Sequence, residues 1–172
     1  GALDQGKVDG YQFIANTTDG TLWLLPDEGK ATPLHLIDRM SANPGRGRIF
    51  NIAKQDDSTL LIATYGAGLI IYDTTTGHTT RFSSHDESPL FHSDYLFDIL
   101  ADRSGGIWVA SVATGVTRLG HRPPSIARYV KPIPSKNNDR DNGISRIFKL
   151  RDGDIAVTAF DFRTLVLDTI NG

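Results

Sequence analysis

The chain has 172 residues, 39% of them hydrophobic and 22% charged, with a formal net charge of −2 and no cysteine. That is enough for one sizeable core, and it excludes a disulfide scaffold, a thiolate metal site and any bulk electrostatic pull toward nucleic acid or anionic lipid. No apolar run approaches the roughly 18 residues of a membrane span, and no signal peptide is expected within these residues.

The chain begins at Gly1 and its single methionine is Met40, so it is expected to be an excised piece of something longer. Its apolar segments are short, rich in Thr, Ile, Val and Gly, and bounded by Gly, Asp, Asn and Ser, which reads as an all-β chain. In chain order, the first segment opens near Tyr11 and runs through "NTTDGTLWLLPDEGKATPL" as three strands. Leu34 to Met40 is a short helix candidate without a cap. The second segment places strands at Ile49 to Ala53, Leu60 to Thr64, Leu69 to Tyr72 and Thr79 to Phe82. "DTTTGH" at Asp73 to His78 is a hairpin turn whose glycine supplies a positive φ. The third segment places strands at Leu96 to Ala101, Ile107 to Ser111, Val116 to Leu119 and Ile126 to Val130, with a second weak helix candidate over Ser93 to Ala101. Three more strands follow, ending near Asp168.

These segments repeat. Leu61-Ile62-Ala63-Thr64 lies 47 residues before Trp108-Val109-Ala110-Ser111, and the same offset carries Phe50 onto Phe97, Ile52 onto Ile99 and Gly68 onto Gly115. An offset of 48 carries Ile99 onto Ile147 and Val109 onto Val157, and carries Ala15 onto Ala63 and Gly20 onto Gly68. A period near 40 to 50 residues with four strands per copy is that of a β-propeller blade. The copies predict a partial blade over 8–40, whole blades over 47–90 and 93–135, and a partial blade over 143–170, all within one segment spanning 1–172. Because both ends fall mid-blade, the expectation is an arc of about three and a half blades cut from a larger ring. An open β-solenoid and a compact four-blade closure are the alternatives.

"YLFDILADRSGGIWVASVATGVTRL" resembles the two-component regulator propeller repeat, and "IFNIAKQDDSTLLIATYGAGLIIYDTTTGHTTRF" is similar along its length. The resemblance covers about Tyr11 to Asp168. It departs at Leu61 and Ala156, where the strand tryptophan is missing, and at Phe160-Asp161-Phe162-Arg163, where the Gly-rich turn is lost. The resemblance implies the periplasmic sensor region of a hybrid two-component system of Bacteroides type. It implies seven-bladed rings, a parent chain anchored in the inner membrane and acting as a homodimer, and recognition of oligosaccharides that controls polysaccharide-utilisation genes. Kinase activity would lie in the parent, outside these residues.

Other chemistry weighs less. Gly66-Ala67-Gly68 leads into a strand, not the helix a phosphate loop needs. His85-Asp86-Glu87 with His92 and Asp94 lies in a polar connection, without the fixed spacing of a zinc site. Asp56-Asp57-Ser58, Asp102-Arg103-Ser104-Gly105 and Asp152-Gly153-Asp154 lack the bidentate Glu of a calcium loop and read as turn chemistry. No nucleophile elbow is present. Trp108 reads as inter-sheet core, and Trp23 as core or as an exposed ring on its strand.

The sequence therefore predicts no metal, no cofactor, no catalysis, and no nucleic-acid or membrane contact by this segment. Its partners would be an oligosaccharide and the remaining blades of the parent. Binding residues belong on loops held by a rigid scaffold, which here gives Arg46, Arg48, Tyr65, His92, Asp94, Phe160, Asp161 and Arg163 as candidates. A scaffold for protein partners and a glycan-cleaving enzyme are the rival readings.

Overall fold

The computed structural model describes residues 2–3, 7–8, 11–16, 21–26, 29–36, 47–87, 89–102, 104–112, 114–120, 126–128, 143–151, 153–159 and 164–167. Every element among them is a strand, so no described helix is long and apolar enough to cross a membrane.

Four antiparallel sheets follow one another along the chain. The first contains β1 (Ala2–Leu3), β2 (Lys7–Val8), β3 (Tyr11–Asn16), β4 (Leu22–Pro26) and β5 (Thr32–Leu34). The second is β6 (Arg48–Lys54), β7 (Thr59–Tyr65), β8 (Leu69–Asp73) and β9 (Thr79–Phe82), paired in that order. The third is β10 (Leu96–Ala101), β11 (Ile107–Ser111), β12 (Gly115–Leu119) and β13 (Ile126–Arg128). The fourth is β14 (Ile144–Lys149), β15 (Ile155–Ala159) and β16 (Thr164–Leu167). The first strands of neighbouring sheets lie against one another, β6 with β10 and β10 with β14, which makes them the inner edge of the arc.

Alternation along the middle strands explains why the sheets stack. In β7, Leu60 and Ile62 pack with Leu22, Leu24, Ile49 and Ile52 on the first-sheet side, while Leu61 and Ala63 pack with Leu96, Ile99, Ile107 and Val109 of the third. In β11, Trp108 and Ala110 turn the other way and pack with Ile144, Ile147, Ile155 and Val157. A strand buried on both faces is apolar throughout, and "LLIA" and "IWVA" are. Trp108 is fully buried, as expected of core; Trp23 is 38% exposed.

Three expectations are corrected. First, pairing in the first sheet begins at residue 2: β1 and β2 both pair with β3, on the side an inner strand occupies. Asp4-Gln5-Gly6 breaks the apolar pattern there, which hides that strand from a sequence reading. Second, Ser93 to Ala101 carries a strand and no helix. Third, of Leu34 to Met40, Leu34 closes β5 and residues 37–40 lie outside the described set. Among the described residues, compact four-sheet closure is not formed either. Phe148, Ala156 and Val166 are cross-strand neighbours on the face of the fourth sheet turned away from the third, and Phe148 and Val166 remain 49% and 59% exposed.

Candidate functional site

Each complete inner strand carries a β-bulge at the same place. The register slips between Ile49 and Asn51 in β6, between Leu96 and Asp98 in β10, and between Ile144 and Arg146 in β14. A bulge adds one residue and re-aims its side chain. The added residues are Phe50, Phe97 and Ser145.

Phe50 and Phe97 meet edge to face with centroids 4.8 Å apart. Tyr65, the last residue of β7, lies 5.4 Å from Phe50, 5.9 Å from Phe97 and 4.8 Å from Tyr95. The separations and tilts fit the ring quadrupoles. All four rings are partly exposed, and together they form one cluster across the boundary between the second and third sheets. The cluster stops at the fourth sheet, where the Ser145 hydroxyl donates to the Thr158 carbonyl at 3.1 Å.

Asp94 fixes the two tyrosines. It is buried, and its carboxylate accepts the Ser84 amide at 2.6 Å and the Ser83 hydroxyl at 3.0 Å, with His85 Nδ1 at 3.1 Å. Its backbone carbonyl accepts the amides of Gly66 and Gly68 at 2.9 and 3.2 Å. One residue thus ties the connection between sheets to the β7–β8 turn, and Tyr65 and Tyr95 form a backbone bridge beside it. The turn itself is closed by the Thr64 hydroxyl, which donates to the Gly68 carbonyl at 2.7 Å; Ser111 repeats the contact with Gly115.

Asp98 follows the bulge in β10. Its carboxylate accepts from the Asn51 side-chain amide of β6, from the Ile147 backbone amide of β14 at 2.7 Å and from its own neighbour Ile99 at 3.0 Å. Burial raises its pKa, against the hydrogen bonds from Ile147, Asn51 and Ile99 and the charge of Arg146.

Asp102 opens the β10–β11 turn. It accepts from the Ser104 hydroxyl and amide, the Gly106 amide, Trp108 Nε1 at 2.9 Å, and Arg118 Nε and Nη2 at 3.1 and 3.0 Å. Burial opposes its charge, but these donors outweigh it and hold the pKa down at about 2. Arg118 also lies over Trp108, 5.6 Å from the ring centroid. The Asp and Trp of the repeat motif are therefore structural partners.

Of the candidates read from sequence, Arg46, Phe160, Asp161 and Arg163 lie outside the described residues. Arg48 is exposed at the start of β6 and is the cross-strand partner of Tyr65. His92 is exposed beside buried Phe91. Asp94 lies behind the cluster, with its oxygens occupied. The structure thus brings together Arg48, Tyr65 and Asp94, and adds Phe50, Tyr95 and Phe97, which sequence reading did not select. A signal for the bulge was present. Ile49/Ile52, Leu96/Ile99 and Ile144/Ile147 are spaced by three in strands, where a regular pleat alternates by two. Among the described residues no group of three His, Asp or Glu could hold a metal ion.

No protein-family model matches the sequence, and no curated protein does. Solved structures do. The extracellular domain of a B. thetaiotaomicron protein assigned to the hybrid two-component systems, BT3049, is similar at a TM-score of 0.76 and 16% identity, over 97% of this chain and 23% of that one. The WD40 propeller domain of Doa1 is similar at 0.67 and 17%, over 98% of this chain and 51% of that one. Virginiamycin B lyase from Staphylococcus aureus is similar at 0.66 and 14%, over 99% of this chain and 56% of that one. At such identities the likeness establishes the fold, an arc of β-propeller blades. The chain spans from about a quarter to just over half the length of these proteins.

Proposed function

We propose that the chain is a non-enzymatic segment of an extracytoplasmic propeller sensor, and that it binds an oligosaccharide at the Phe50–Tyr65–Tyr95–Phe97 cluster. The observation that carries this reading is the cluster itself. Four partly exposed rings lie in β6, β7 and β10 and just before β10, with exposed Arg48 opposite Tyr65, at the junction of two sheets. Flat apolar faces flanked by planar hydrogen-bonding groups suit the two faces of a pyranose ring. The likeness to an extracellular two-component domain supports the sensor role. The repeat resemblance supports a periplasmic location, a dimeric parent in the inner membrane and control of polysaccharide-utilisation genes.

A thermal-shift screen against neutral and acidic tetrasaccharides tests the reading, because a ligand that prefers the folded state raises its melting temperature. A rise with one glycan class that is lost in Phe97→Ala and Tyr65→Ala supports it. A rise that both variants retain places the site elsewhere, and no rise with any glycan overturns it.

A scaffold for protein partners is the second reading, favoured by the exposed Phe148 and Val166. A glycan-cleaving enzyme would need two carboxyl groups open to the substrate. Asp94 and Asp98, the carboxylates nearest the cluster in sequence, are each engaged by three donors.

A further inference from the structure

We infer that the saccharide bound at this cluster carries an anionic substituent, a carboxylate or a sulfate, and that Arg48 is the side chain that receives it. The inference rests on the cluster being the binding site, and it adds the chemical class of the ligand.

Three observations point to an anion. Arg48 and Tyr65 are directly opposed in the β6–β7 ladder. Cross-strand partners project to the same face, so the guanidinium stands on the face that carries the central ring of the cluster. Arg48 is also exposed, and no described carboxylate pairs with it. This contrasts with Arg118, which is held by Asp102. Finally, the acids closest in the chain to the rings are already committed. Asp94 is buried under Ser83, Ser84 and His85, and Asp98 is buried under Asn51, Ile99 and Ile147. The cluster therefore shows a ligand one open cation and no open anion from these residues. A planar guanidinium suits a carboxylate or sulfate, which it can bind through two parallel hydrogen bonds.

The test is titration calorimetry of the protein with four probes of equal length: tetragalacturonate for carboxylate, a κ-carrageenan tetrasaccharide, which bears sulfate and no uronic acid, for sulfate, and cellotetraose and maltotetraose as neutral sugars. One acidic probe should bind at least about tenfold more tightly than either neutral one, and Arg48→Gln should remove about that factor of preference. Arg48→Lys should recover only part of it, because the paired donors are lost. The acidic advantage should also shrink as salt is raised. Which acidic probe responds decides between carboxylate and sulfate.

Equal binding of acidic and neutral probes, unchanged in Arg48→Gln, overturns the inference and leaves the oligosaccharide reading standing. An acidic preference that persists in Arg48→Gln overturns it too, as does acidic binding unaffected by Phe97→Ala in a variant that still melts cooperatively. Binding of no probe removes the oligosaccharide reading, and this inference with it.

Discussion

The Asp98 carboxylate accepts the backbone amide of Ile147 at 2.7 Å, across the boundary between the third and fourth sheets. Its other oxygen accepts Asn51 of the second. Three consecutive inner strands are thus joined at one buried carboxyl group. Asp98→Ala leaves the Asn51 and Ile147 donors without their acceptor, at a cost of roughly 2–4 kcal/mol. Urea unfolding of the variant should show this as a lower midpoint. An unchanged midpoint would mean that the sheets are held by their apolar faces alone.

Asp98 also sets a pH dependence. Burial places its folded pKa above the unfolded value of about 3.9. The native state then binds the proton more tightly than the unfolded state, so this group's contribution to stability declines as pH rises from below about 4 through the folded pKa, and is constant above it. The stability of wild type relative to Asp98→Asn should therefore fall as pH rises through that window. A difference that grows with pH there would contradict the assignment.

Asp102 acts in the opposite direction. Its folded pKa of about 2 lies below the unfolded value, so its contribution is complete above about pH 4 and is lost as pH falls toward 2. Asp102→Asn should cost roughly 1–2 kcal/mol at pH 6, through weaker hydrogen bonds to Trp108 and Arg118. The two proteins should converge near pH 2. A gap that stays constant from pH 6 to pH 2 would show that the charge on Asp102 is not what the turn uses.

The Asp102 turn also shows what was legible beforehand. The repeat, the sheet count and most strand limits could be read because apolar strands and Gly-bearing turns leave periodic marks on sequence. β9, β10 and β11 fall where the pattern places them. The coupling of Asp102, Trp108 and Arg118 could not be read, since it depends on three strands meeting. It also explains the departures from the motif. The equivalent residues are Gln55, Leu61 and Ile71 in the second sheet, and Leu150, Ala156 and Val166 in the fourth. The carboxylate, the indole and the guanidinium are therefore present or absent together. The aromatic cluster was hidden for a different reason. A bulge imposes a three-residue apolar spacing on the inner strand, and over Ser93 to Ala101 that spacing imitates a helix.

Gly68 has a φ of +79°, and a Cβ there would lie 2.1 Å from the Phe82 carbonyl oxygen, which is backbone at the end of β9. Gly77 has a φ of +71° with nothing within 4 Å of the same atom. Both Gly→Ala changes incur the left-handed strain of about 1 kcal/mol, but only Gly68→Ala also has to move a neighbouring strand. Gly77→Ala should lose about 1 kcal/mol and Gly68→Ala about 3 or more. The effect of Gly68→Ala should also reach the cluster. The Gly68 amide donates to the Asp94 carbonyl, next to the Tyr65–Tyr95 bridge. A near-ultraviolet circular dichroism signal from the packed tyrosines should weaken in Gly68→Ala and persist in Gly77→Ala. Equal stability losses with both spectra intact would show that the turn does not position the rings.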